Sequence, residues 1–127
     1  DMRMPIQYAL TYPARDPAPV PRMDWKVART WEFEPPDFDK FPLLRLAYEA
    51  QETGGAATCI LNAADEIAVE AFLEERLPFP GIAEVVSETL EKVPNCTPRS
   101  VEEVLEIDRQ SRETARILVQ ERVPAAR

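Results

Sequence analysis

Three polar side chains interrupt an otherwise apolar stretch near the middle of this sequence. Asn62, Asp65 and Glu66 lie within residues 56–76, where alanines and branched apolar residues predict one long helix. Their amide and carboxylate groups can form hydrogen bonds or take part in acid–base chemistry. Because the helix is apolar on nearly every side, we expect it to pack centrally, with these groups buried and hydrogen-bonded. Two roles stay open, namely fixing the helix to another part of the protein and supporting the groups of an active site.

Other residue types that carry chemistry are sparse. Glu102, Glu103 and Glu106 fall at the start of a predicted helix, where acidic side chains complement the helix dipole, so we interpret them as structural. The chain has no histidine, which excludes histidine-based triads and dimetal centres of the Glu-x-x-His type. Its three glycines form no phosphate-binding turn after a strand. We therefore predict no catalytic, cofactor-binding or metal-binding residue in this chain.

Composition narrows the class of partner and the compartment. The formal net charge is −8, and a surface this acidic repels phosphate groups. We therefore predict that the chain binds neither nucleic acid nor membrane. The two cysteines, Cys59 and Cys96, make no disulfide framework. They indicate a reducing compartment, either the bacterial cytoplasm or a plastid stroma.

The first third of the chain is rich in proline. The pattern of residues 5–12 predicts a short helix, although their apolar side chains also alternate as in a strand. Residues 13–38 are predicted to form an irregular proline-rich linker, because proline lacks an N–H group and favours an extended conformation of the residue before it. Within the linker, residues 30–34 alternate as one short strand. Trp25 and Trp31 are expected to anchor the linker by burying their rings.

The apolar periodicity of residues 39–127 predicts a helical bundle domain. Each predicted helix has a signal at its start or its end. The first is capped by Asp39 and stopped by Gly54-Gly55, and the second spans residues 56–76 and ends before Pro78. The third begins at Gly81, and the fourth begins at a capping box of Ser100 and Glu103. Short connections favour antiparallel packing of sequential helices as a four-helix bundle. The predicted fold class is therefore mainly α, with a C-terminal four-helix bundle preceded by a linker and a short strand.

Short blocks along the whole chain occur in the same order in one enzyme family. They are Asp1-Met2-Arg3-Met4-Pro5-Ile6, Phe33, Pro36-Asp37, Phe41-Pro42, Leu46-Ala47, Ala56-Ala57-Thr58, Leu61-Asn62-Ala63-Ala64, Glu66, Ala71-Phe72-Leu73, Val104-Leu105, Asp108 and Ala115-Arg116. With these blocks the chain resembles the C-terminal third of 1-deoxy-D-xylulose-5-phosphate reductoisomerases. One departure is Asp65, where the family usually has asparagine.

The resemblance implies the terminal piece of a larger α/β enzyme, whose catalytic and NADPH-binding domains precede this chain. Such an enzyme converts 1-deoxy-D-xylulose 5-phosphate to 2-C-methyl-D-erythritol 4-phosphate, using NADPH and Mg²⁺ or Mn²⁺, in non-mevalonate isoprenoid biosynthesis. It works as a homodimer. Residues 1–12 would end the catalytic domain, and Met2 would either line the substrate pocket or pack in a core.

In that setting the fragment is expected to brace the active site and to be inactive by itself, with no cofactor of its own. An alternative of a different class is a free-standing helical protein-interaction module with no catalytic role. That alternative requires an exposed hydrophobic groove, which the reductoisomerase interpretation would cover with the linker and the preceding domains.

Overall fold

The computed structural model describes residues 2–122 and contains, in that part, five helices and no β-strand. The helices are α1 (Arg3–Thr11), α2 (Pro42–Thr53), α3 (Ala57–Leu73), α4 (Phe79–Lys92) and α5 (Val101–Arg122). None of these five is both long and apolar enough to cross a membrane. The chain divides into two compact units, Asp1–Glu34 and Pro35–Arg127. The prediction of a mainly α fold is confirmed.

The first unit consists of α1 and the irregular segment that follows it. α1 confirms the short helix predicted for this end of the chain. Gln7 Nε2 donates a hydrogen bond to the carbonyl oxygen of Pro17 at 3.0 Å. The Arg15 guanidinium lies over the ring of Tyr8, 4.3 Å from its centroid. These contacts hold the start of the proline-rich segment against the helix.

Two expectations for the linker are wrong in this structure. Residues 30–34 form no strand, because a strand needs a neighbour to receive its backbone hydrogen bonds and the described residues offer none. Trp25 and Trp31 do not bury their rings and are 84% and 61% exposed. Alternating residues indicate extended backbone, whereas strand pairing and ring burial depend on a surface that these residues do not themselves provide.

α2 begins later than predicted and ends where predicted. Its first turn starts at Pro42. Proline is tolerated there because the N–H groups of the first helical turn have no hydrogen-bond partner within the helix. Asp39 is not the cap, because its own N–H donates to the carboxylate of Asp37 at 3.1 Å in a turn that precedes the helix. Gly54 is the C-cap and has a φ of 68°, so the predicted glycine stop is confirmed.

The connection between α3 and α4 differs from the prediction at both ends. α3 ends at Leu73 rather than near residue 76, because the backbone takes a left-handed φ of 59° at Glu75. α4 begins at Phe79 rather than at Gly81, since a proline is compatible with the first helical turn.

α5 begins at its predicted cap. The Ser100 hydroxyl accepts a hydrogen bond from the N–H of Glu103 at 3.2 Å. The Glu103 carboxylate accepts from the N–H of Arg99 at 2.6 Å, whereas a standard capping box would use the N–H of Ser100. The first turns of α5 expose apolar side chains, including Val101 and Leu105.

The core of the second unit is built around α3, which packs against α2, α4 and α5. Its inward face consists largely of alanines, which let neighbouring helices approach because alanine has no side chain beyond Cβ. The buried residues of α3 are Ala57, Ile60, Ala63, Ala64, Ile67, Ala68 and Ala71. Val85 and Val86 of α4 and Leu118 and Val119 of α5 fill the space beside them.

A side chain from the loop before α5 fixes the turn between α2 and α3. Asn95 Oδ1 accepts a hydrogen bond from the N–H of Ala56 at 2.8 Å, and its Nδ2 donates to the carbonyl of Gly54 at 3.2 Å. Gly55, with a φ of 62°, lies in the same turn, and a Cβ there would be 2.7 Å from the carbonyl oxygen of Cys96. Glycine is thus required at residue 55 both for its conformation and for space.

We predict that the second unit folds without the first, because α2–α5 enclose a core of their own. A chain shortened to begin at Pro35 should give a strongly helical circular dichroism spectrum and one cooperative thermal transition. Ellipticity measured against temperature provides the test. A largely unstructured spectrum would contradict the prediction and mean that the bundle needs the preceding residues.

Candidate functional site

The outward side of α3 carries the polar residues that interrupt its apolar sequence. Asn62 and Glu66 lie one helical turn apart and are exposed, and Asp65 is half-buried. The expectation that this set is buried is therefore wrong in this structure. The alanine-rich side of α3 faces the other helices, and the helical period places Asn62 and Glu66 on the opposite side. The expected central position of the helix itself is confirmed.

A chain of hydrogen bonds links the outward side of α3 to α5. Asn62 Nδ2 donates to Glu66 Oε1 at 3.0 Å. Arg112 Nη2 donates to Glu66 Oε2 at 2.8 Å, and Arg112 Nε donates to Asp108 Oδ2 at 2.7 Å. We call these four residues the α3–α5 polar network. It contains the one ion pair that the described residues form between α3 and α5.

The hydrogen bonds of the network shift the pKa values of two of its members, Glu66 and Arg112. Hydrogen bonds from Arg112 and then Asn62 hold the pKa of the Glu66 carboxyl below its usual value. Hydrogen bonds to Asp108 and Glu66 raise the pKa of the Arg112 guanidinium. Burial, followed by the charge of Glu66, raises the pKa of Asp65. Glu66 is thus stabilised as an anion, whereas the ionised form of Asp65 is disfavoured.

Sequence reasoning did not identify Arg112 and Asp108 as partners of the α3 residues. Their spacing of four residues along one helix predicts an ion pair within α5, so that contact was accessible from the sequence. The bond from Arg112 to Glu66 joins residues that are far apart in the chain. Only the packing of α5 beside α3 creates it, and no local sequence signal marks it.

Met2 lies in the first unit, at the N-cap of α1, and is 69% exposed. Its carbonyl oxygen accepts the N–H of Ile6 at 3.1 Å, which begins the helix. Nothing in the described part of this unit encloses its thioether in a core. Its place on the wall of a substrate pocket stays a prediction.

The hydroxyl and thiol groups of the bundle have structural surroundings. The buried hydroxyls of Thr89 and Ser111 each donate to a backbone carbonyl one turn earlier, at 2.7 Å in both cases. Burial raises the pKa of the Cys59 thiol, which disfavours the nucleophilic thiolate. Across residues 2–122, no group of three or more cysteine or carboxylate side chains could hold a metal ion. The two hydroxyls are therefore satisfied within their own helices, α4 and α5.

The fold and the network define the class of protein, which is a helical domain held together by apolar packing, with ion pairs between helices at its surface. A family model described as the DXP reductoisomerase C-terminal domain matches residues 1–114. The chain belongs to this family and corresponds to the C-terminal part of 1-deoxy-D-xylulose 5-phosphate reductoisomerases, which confirms the resemblance seen in the sequence.

Individual relatives agree with the family match. The 1-deoxy-D-xylulose 5-phosphate reductoisomerase of Solibacter usitatus is 68% identical over 118 residues, which are 93% of this chain and 30% of the relative. A solved reductoisomerase from Zymomonas mobilis in complex with NADPH is 42% identical, with a TM-score of 0.83 over 94% of this chain and 32% of that chain. A solved DOX-P reductoisomerase in complex with NADPH, fosmidomycin and magnesium is 33% identical, with a TM-score of 0.75 over the same shares. The chain thus spans about 30% of the curated relative's length.

Asp65 should be a destabilising carboxylate at neutral pH. Because its pKa is raised in the folded state, the folded chain binds the proton more tightly, so stability falls as the pH rises from about 3.8 through the raised pKa. We expect Asp65→Asn to raise the free energy of unfolding at neutral pH by at most about 1 kcal/mol, since solvent screens a half-exposed group. The gain should fade in acid, where the aspartate is itself neutral.

Asp108→Asn is the matched control, because Asp108 accepts a hydrogen bond from Arg112 and its loss should lower stability. Urea unfolding of the three chains across a series of pH values compares them. A destabilised Asp65→Asn chain at neutral pH would show that the charge of Asp65 is favourable.

Proposed function

We propose that this chain is the C-terminal portion of an enzyme that converts 1-deoxy-D-xylulose 5-phosphate to 2-C-methyl-D-erythritol 4-phosphate by rearrangement and NADPH-dependent reduction. The observation that carries the proposal is the family match over residues 1–114, together with the shared fold of the solved reductoisomerases. In this proposal residues 1–12 end the catalytic domain, residues 13–38 are the linker, and residues 39–127 form the bundle. The bundle braces the active site and does not supply its reacting groups.

Exposed apolar side chains in the first unit support this division of roles. Leu10, Trp25, Trp31 and Phe33 are all exposed in the described part of that unit. A protein surface seldom leaves so many large apolar groups in water unless another surface covers them. We assign the covering surface to the preceding domains, which would account for the remaining length of the relatives.

The residues of this chain do not fit a site for the cofactors. No metal-holding group of side chains occurs between residues 2 and 122, and the sequence has no glycine-rich turn of the dinucleotide-binding kind. NADPH and magnesium are bound in solved relatives of the whole enzyme. We therefore propose that NADPH and Mg²⁺ or Mn²⁺ are held by the preceding domains. The proposal also includes a homodimer in a bacterial cytoplasm or plastid stroma.

A second candidate function is a free-standing helical interaction module. Exposed apolar residues on α2, including Leu44 and Tyr48, favour it because they could receive a separate protein. The two candidates differ in what precedes Asp1 in the gene. A dinucleotide-binding turn and an acidic metal-binding motif there support the reductoisomerase, and an unrelated or absent coding region supports the module.

We predict that this chain alone neither converts the substrate nor binds NADPH. The physical reason is that it offers no phosphate-binding turn and no cluster of metal ligands in its described part. Calorimetric titration with NADPH and an assay of substrate-dependent NADPH oxidation test the prediction, with the whole enzyme as the positive control. Saturable binding at micromolar NADPH, or measurable turnover, would refute it.

Met2→Ala in the whole enzyme tests the predicted pocket wall. If the thioether contacts substrate, its loss should raise the Michaelis constant by about tenfold while the melting temperature changes little. If Met2 packs in a core, truncation should instead cost about 2–5 kcal/mol of stability. Met4→Ala, two residues further along, is the matched control. Unchanged kinetics with a steep fall in melting temperature would make Met2 a packing residue.

A further inference from the structure

Two surface strips of exposed and half-buried side chains run side by side along α3 and α5. On α3 the strip consists of Asn62, Glu66, Val69 and Leu73, and on α5 it consists of Val101, Leu105, Asp108 and Arg112. In both helices the members are spaced by three or four residues, so they share one side of the helix. The Cys59 thiol lies 3.8 Å from the Val104 carbonyl, and Arg112 lies 2.8 Å from Glu66. These contacts advance in the same direction along both helices, so the strips run parallel. We call their combined surface the α3–α5 face.

Arg112 organises the centre of this face. Its guanidinium bonds to Asp108 on its own helix and to Glu66 on α3, and Glu66 in turn receives the amide of Asn62. Because a carboxylate can only accept, the Asn62 amide must turn its NH₂ group toward Glu66, which leaves its oxygen free to accept from elsewhere. Arg112 of α5 thereby holds the Glu66 side chain of α3 in place, and Glu66 in turn orients the Asn62 amide.

The composition of the face is that of an interface. Leu73, Val101 and Leu105 are exposed apolar residues at its ends, and a half-buried arginine with ordered partners lies between them. Arginine and apolar anchors of this kind are enriched where proteins bind one another. Two carboxylates against one guanidinium make the centre rich in acceptors, so the complementary surface must supply N–H donors.

The length of the relatives indicates what covers this face. This chain accounts for about 30% of its curated relative, so most of that protein lies outside the present structure. Resting on the proposed function, we propose that the α3–α5 face docks the bundle onto the preceding part of the same polypeptide, and that Arg112 is the positioning residue that organises the face. The bundle transmits its support to the substrate site through this contact.

The first arm of the test measures access to the face in the whole enzyme. Leu105→Cys and Ile117→Cys place a thiol on two different sides of α5, about 120° apart around the helix, at residues that are 63% and 51% exposed in this chain. If the face is covered, iodoacetamide should alkylate the Leu105→Cys enzyme at least about tenfold more slowly than the Ile117→Cys enzyme. Mass spectrometry separates these sites from the native Cys59 and Cys96.

The second arm measures the role of Arg112. We expect Arg112→Gln to lower kcat/KM by about tenfold, because the face is then less well positioned. In an Arg112→Gln background, alkylation at Leu105→Cys should become faster. Arg109→Gln is the matched control, since Arg109 bonds only to Glu106 and Glu113 of its own helix among the residues described. It should leave both readouts within about twofold of the parent enzyme.

The outcomes separate the inference from the proposed function. Equal alkylation rates at the two cysteines overturn the docking face, and Val101→Cys repeats the measurement should Leu105→Cys fail to fold. Equal kinetics of Arg112→Gln and Arg109→Gln overturn the positioning role. A whole enzyme without reductoisomerase activity overturns the proposed function, while the alkylation arm still reports on docking.

Discussion

The close packing of α3 against its neighbours is the constraint on which the bundle depends. Ala63, Ala64, Ala68 and Ala71 line the inward side of this helix and are fully buried. Alanine gains little from its own burial but allows α4 and α5 to approach, so their valines and leucines exclude water across the contact. A larger residue on this side would force the helices apart, since packed interiors have little spare volume.

The same arrangement decides what the surface of the domain offers. Once one side of α3 is committed to the core, the helical period places Asn62 and Glu66 on the other side. α5 then passes close enough for Arg112 to reach Glu66, and one guanidinium joins the two helices at the surface. An exposed ion pair of this kind adds little stability, but it does restrict the orientation of the side chains around it. The network therefore matters more for the shape of the surface than for the fold.

Several features of the chain fit the proposal that another part of a longer polypeptide covers its first unit. The first unit leaves Trp25 and Trp31 exposed and does not pair residues 30–34 as a strand. Apolar rings and alternating residues are what a linker needs when it crosses another surface. The chain belongs to the reductoisomerase C-terminal domain family and spans about 30% of its curated relative's length.

The sequence by itself determined the helices, the glycine stop at Gly54 and the cap at Ser100. Caps, helix breaks and apolar periodicity each depend on residues only a few positions apart, so a local pattern is enough to predict them. Ordered motif blocks likewise sufficed for the family. The tertiary structure alone decided that Asn62 and Glu66 face outward, that Arg112 bonds to Glu66, and that Asn95 holds the turn at Gly54. The two contacts join residues that are 46 and 41 positions apart. Their existence depends on which helix faces are buried together, and no local pattern encodes that pairing.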